Sequence, residues 1–80
     1  MASQKPKPKP PLTRLRRLRE NAGMTQAKLA YLAGVSLYTL WILEHCTDRD
    51  ELDRTKLGTL RKVAHALGVS VAELAPELSQ

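Results

Sequence analysis

The chain contains no phenylalanine, one cysteine, one tryptophan and two tyrosines. A core without Phe has to be assembled from Leu, Val and Ala, and an aliphatic core of that kind suits packed helices. The lone Cys46 excludes an internal disulfide, which argues against a stapled secreted scaffold and for a reducing cytoplasm. No apolar run comes near the roughly 18 residues that would span a bilayer. The basic, proline-rich N-terminus has no apolar stretch behind it and so does not read as a secretory signal. No glycine-rich phosphate loop precedes a helix. His45, Cys46 and His65 are the available soft metal ligands, and they lack the paired spacing of a zinc site. Cys46 beside His45 does not make a nucleophile and base, because sequence neighbours rarely orient correctly for that. The expectation is therefore a soluble protein that is not an enzyme, with no cofactor, metal, membrane or small-molecule substrate.

What is present is positive charge, unevenly spread. The 80 residues carry a formal charge of +5. Residues 1–44 hold eight Lys or Arg against Glu20 and Glu44, a net of +6, while residues 45–80 hold five against six acids, a net of −1. A cationic half suits a polyanionic partner, since neutralising phosphates releases counterions. Charge alone leaves a generally basic soluble domain as the other reading. Eighty residues make one small domain, and its stability should be modest.

Residues 1–11, MASQKPKPKPP, alternate Lys and Pro and can bury nothing, so an extended, disordered basic arm is expected ahead of a domain over 12–80. Such an arm either lies along a DNA groove or is a tail without a role. From Leu12 the pattern turns helical, with Leu15, Leu18 and Ala22 on one face, Thr13 as the candidate N-cap and Gly23 as the stop. Thr25 then caps a helix ending at Gly34, and Ser36 caps a third running to about His45. Residues 46–54 lack apolar periodicity and read as a loop. A fourth helix carries Leu57, Leu60, Val63, Ala64 and Leu67 on one face and stops at Gly68. Ser70 and Glu73 have capping-box spacing for a short fifth helix limited by Pro76. The predicted fold is all-α, a compact set of five helices.

The segment Gln26 to His45 is the most informative. Two helices joined by a turn of about three residues need a small residue where the backbones meet, a turn residue tolerant of positive φ, and apolar residues locking one helix to the other. Ala30, Gly34 and the set Leu29, Ala33, Val35, Leu40 and Leu43 meet those needs in turn. Over roughly Leu12 to Leu78 the chain resembles the lambda-repressor-like, or phage Cro-type, helix-turn-helix family. LRRLRENAGMTQAKLAYLAGVS is similar to that family's first two helices and turn, TLWILEH to its recognition helix, and LRKVAHALGVSVAEL to its last two helices.

The resemblance implies a transcriptional regulator, repressor-like, that sets its second motif helix into the major groove of duplex DNA and binds an operator as a homodimer. By position, Gln26 would meet a phosphate or a base edge, with Lys28 and Arg19 close to the backbone. Ser36, Leu37, Tyr38, Trp41, Ile42 and His45 would lie on the groove side, and Thr39 would reach a phosphate. Arg19 and Glu44 match a family ion pair that ties the recognition helix to the scaffold; an ordinary surface contact is the other reading of those two residues. Dimer contacts would fall to the loop, the fourth and fifth helices, or Leu74, Pro76 and Leu78.

Two departures qualify this. Positions 37–42 offer no Arg, Asn or Gln for bidentate base contacts, so Leu37 and Ile42 can only pack on thymine methyls, while Tyr38 and Trp41 bring one polar group each. The same four residues could instead form an apolar patch for another protein, as in an antitoxin or anti-repressor partner. The loop over 46–55 is also longer than expected and acidic. Asp48, Asp50, Glu51 and Asp53 should turn away from DNA, which leaves Arg49, Arg54 and Lys56 as phosphate candidates.

Overall fold

Short polar side chains decide where four of the helices begin. In the computed structural model, which describes residues 10–79, Thr25 accepts a hydrogen bond from the Lys28 N–H, Ser36 from Thr39, Asp48 from Asp50 and Ser70 from Glu73. Each bond satisfies an N–H that the first turn of a helix leaves without an internal partner. The elements are α1 (Leu15–Asn21), α2 (Gln26–Ala33), α3 (Leu37–His45), α4 (Arg49–Arg54), α5 (Leu57–Leu67) and α6 (Val71–Leu74), followed by a 3-10 turn over Pro76–Ser79. Among the described residues there is no strand, and the fold is all-α. The N-terminal arm expected over 1–11 lies outside the described residues apart from Pro10 and Pro11.

Gly34 ends α2 at φ 69°, ψ 33°, with its N–H bonded back to Tyr31. This left-handed conformation is one that residues with a Cβ adopt only at a cost, and it reverses the chain into Ser36 within three residues. α2 consequently packs against both α3 and α5, while α1 lies on α3 and α6 on α5. Leu15, Leu29, Leu40, Leu60 and Leu74 are fully buried between them, and Ala30 and Ala33 let α2 approach its neighbours closely. Two backbone bonds stitch the segment ahead of α1 to distant elements: Leu12 N–H to the Cys46 carbonyl and Arg14 N–H to the Leu74 carbonyl, both at 2.8 Å.

The structure corrects the sequence reading in three places. Thr13 is not the cap of α1, which starts at Leu15 with no side-chain cap. The Thr13 hydroxyl is buried and donates to the Leu43 carbonyl at 2.7 Å; that carbonyl belongs to the last turn of α3, where helical donors have run out. The segment expected as a loop contains α4, so the described residues hold six α-helices rather than five. α4 is anchored by one buried residue, Leu52, and one apolar position produces no period to read. It gains further from Asp50 and Glu51 in its first turn and Arg54 in its last, charges that complement the helix dipole. Finally Leu57, expected on the core face, is exposed in the first turn of α5, while Leu60, Val63 and Ala64 are buried.

Candidate nucleic-acid interface

The site is organised around a carboxylate with almost no access to water. The Glu44 side chain, in the last turn of α3, is 1% exposed. A buried carboxylate is tolerable only when its charge and lone pairs are matched. Arg19 from α1 supplies most of that match, with Nε donating to Oε2 at 2.6 Å and Nη2 to Oε1 at 3.2 Å. Gln26, the first residue of α2, donates from Nε2 to the same Oε1 at 3.2 Å. Arg19 Nη1 also donates to the Met24 carbonyl at 2.8 Å, tying in the turn between α1 and α2. The hydrogen bonds to Glu44 raise the Arg19 pKa further, against the opposing effect of burial, so the guanidinium stays charged at any ordinary pH.

Three of the five Arg19 N–H groups are used in this network, and two remain for a ligand. Gln26 likewise keeps one amide proton and its carbonyl oxygen. The family resemblance implies a phosphate or a base edge as the partner of Gln26 and gives no sign of its link to Glu44, which only the packing of α2 on α3 creates.

On α3 itself, Leu40, Leu43 and Glu44 point inward. The opposite face is open: Tyr38 is 72% exposed, Leu37 and Trp41 each 50%, and His45 is exposed, while Ile42 and Thr39 are half-buried. A helix so apolar on its solvent side is not explained by its own core. Trp41 and His45, one turn apart, stack with ring centres 4.3 Å apart and planes at 28°. His45 Nδ1 sits 2.8 Å from the Trp41 carbonyl. A carbonyl can only accept, so Nδ1 carries the proton and Nε2 is the acceptor of the neutral ring. The i, i+4 spacing of these two residues is the signal from which the stack could have been anticipated.

At the mouth of the turn, Ser36 accepts from the Thr39 N–H at 3.0 Å and its hydroxyl donates to Thr39 Oγ1 at 2.8 Å. The Thr39 hydroxyl proton is thereby left for an outside acceptor. Lys28 is exposed on α2.

Other expected contributors are placed less favourably. Arg49 is held by Asp53 at 3.3 Å and Glu77 at 3.6 Å, which weakens its claim on a phosphate. Arg54 and Lys56 are exposed and form no ion pair among the described residues. Leu74 is wholly buried in the domain's own core and is not available for a dimer contact; Pro76 and Leu78 are half-buried. Among the described residues no group of three His, Cys, Asp or Glu could hold a metal ion, and no helix is long and apolar enough to cross a membrane.

No curated protein matches the chain. The family model of the helix-turn-helix domain matches residues 13–77, from the buried Thr13 to the 3-10 turn. With most of its length matched, and with α2, the Gly34 turn and α3 arranged as described, the chain belongs to the helix-turn-helix domain family, consistent with its lambda-repressor-like resemblance.

Proposed function

We propose that this protein is a transcriptional regulator that binds duplex DNA sequence-specifically, with α3 in the major groove and the start of α2 on the phosphate backbone. The observation that carries the reading is the uncovered outer face of α3, with Ser36 and Thr39 at its N-terminal end, on a helix tied to α1 and the start of α2 through Glu44. Backbone contacts would come from Arg19, Gln26, Lys28 and Thr39, and base-edge contacts from Leu37, Tyr38, Trp41, Ile42 and His45. One recognition helix covers only a few base pairs, so two copies on a two-fold operator are the expected arrangement, with repression as the expected outcome.

The apolar chemistry of Leu37, Tyr38 and Trp41 favours one second reading, a protein partner docked on the same face. A salt titration separates the two. Binding to duplex DNA should weaken linearly on a log–log plot as salt rises, in proportion to the phosphates neutralised. Selection from a random duplex pool should then return a preferred, two-fold related sequence. Absent or salt-insensitive DNA binding would overturn the proposal and leave the protein-partner reading.

A further inference from the structure

We infer that α3 selects T·A base pairs, with Leu37 and Trp41 against the thymine C5-methyl and the stacked Trp41 and His45 on the polar edge of the pair. This rests on the DNA-binding reading above and names the class of sequence which that reading leaves open. Leu37, Trp41 and His45 follow one another at intervals of four residues, so they form one stripe along α3, beside the buried Leu40, Leu43 and Glu44. All three are exposed. Leu37 and Trp41 stand about 6 Å apart along the helix axis, close to two steps of about 3.4 Å along a DNA strand.

The stripe is selective through what it omits. It holds no Arg, Lys, Asn or Gln, the side chains that grip guanine or adenine bidentately. The thymine methyl is the apolar group that base pairs offer in the major groove. Leu37 set against guanine or cytosine instead covers O6, N7 or N4 with hydrocarbon and leaves them without partners, a cost that the methyl does not impose.

Hydrogen bonding on the stripe comes from two rings. Trp41 Nε1 only donates. His45 Nδ1 is committed to the Trp41 carbonyl at 2.8 Å, which leaves Nε2 as the acceptor of the neutral ring. Stacking at 4.3 Å holds this donor-bearing and this acceptor-bearing ring together. Such a couple matches the O4 acceptor of thymine and the N6 amino group of adenine. It matches guanine O6 and cytosine N4 equally well, so the hydrogen bonds alone do not choose between the pairs. The methyl chooses T·A. Cytosine methylated at C5 carries the same methyl, but next to an amino donor rather than O4, and the indole N–H can pair only with O4.

The test starts from the duplex that wild type prefers in a random pool, whose half-sites should contain thymine. Replacing single thymines by deoxyuridine removes the methyl and keeps the pairing. At the positions under Leu37 or Trp41 this should weaken wild-type binding about fourfold, the worth of one buried methyl. Leu37→Ala should keep the wild-type circular dichroism and urea midpoint, and should lose the deoxyuridine response at one of those positions. A 5-methylcytosine·guanine pair placed there should bind more tightly than cytosine·guanine and less tightly than T·A. Indifference of wild type to every deoxyuridine replacement would overturn the inference, and that arm needs no variant. A preferred site without thymine would do the same. So would a deoxyuridine effect undiminished at every position in Leu37→Ala, which would report duplex shape rather than contact. Binding of the 5-methylcytosine duplex as tight as that of T·A would assign the face to methylated cytosine instead. Failure of wild type to bind duplex DNA, or to prefer any sequence, would sink the DNA-binding reading itself.

Discussion

The Arg19 guanidinium and the Glu44 carboxylate meet at 2.6 Å across 25 residues of chain, and among the described residues the Glu44 side chain has no other positive partner. With Gln26 on the same carboxylate oxygen, this pair fixes α1, the start of α2 and the end of α3 relative to one another. Its role is better read as orientation than as net stabilisation, since the Coulomb attraction of a buried pair is largely offset by the desolvation of both charges.

Breaking the pair on one side should therefore be severe. Arg19→Met leaves Glu44 buried without its charge partner and should cost about 3–5 kcal/mol in urea unfolding, a large share of the stability of a domain this small. The double variant Arg19→Met/Glu44→Leu should recover much of that loss, and a double-mutant cycle reads the coupling directly. Additive single effects would show that the two side chains do not act as a pair.

The buried bond from Thr13 to the Leu43 carbonyl should report on the end of α3. Thr13→Val keeps the shape and removes the donor, leaving a buried carbonyl unmatched at a cost of about 1–3 kcal/mol. Hydrogen exchange at the C-terminal end of α3 should accelerate with it. Unchanged stability in Thr13→Val would mean that water takes over the carbonyl.

Exposed residues on α3 should act on recognition rather than folding. Tyr38→Ala and Trp41→Ala should leave the urea midpoint within about 0.5 kcal/mol of wild type, as surface substitutions usually do. Each should reorder the sequences recovered from a random duplex pool. Gln26→Ala, by contrast, should weaken binding to all sequences alike, if its proposed contact is with the backbone. Retention of the wild-type preference by both aromatic variants would remove α3 from the groove.

Cys46 supplies a pH-dependent check on packing. Its thiol is buried, and burial pushes its pKa above the ordinary thiol value, partly opposed by hydrogen bonding to the Asp48 backbone. Folding thus favours the protonated form. That contribution is complete below the unfolded thiol's pKa and is lost as pH rises through the higher folded value. Wild-type stability should fall with pH in that alkaline window, and Cys46→Ala should flatten this part of the slope. Alkylation at pH 8 should be far slower in native protein than in urea; equal rates would place the thiol in solvent.

What could be read from the residues was whatever repeats or sits at a fixed offset. Leu29, Ala30, Ala33, Leu40 and Leu43 mark the packed sides of two helices, and the hydroxyls of Thr25 and Ser36 with Gly34 between them mark the short turn. These are local signals, set by helical periodicity and backbone sterics, and the structure places them where the spacing puts them. α4 leaves no periodic trace in the sequence because its hold on the core is the single residue Leu52, and the role of Thr13 is not a local signal because its acceptor lies 30 residues away.

Sequence by itself thus determined the helical class, the motif and its turn, because periodicity and capping act over a few residues. Only the tertiary structure decided that Gln26 shares Glu44 with Arg19, that Leu74 is spent inside the core, and that the Thr13 hydroxyl closes the end of α3. Those outcomes depend on how the helices cross, and crossing geometry arises from packing of residues far apart in the chain.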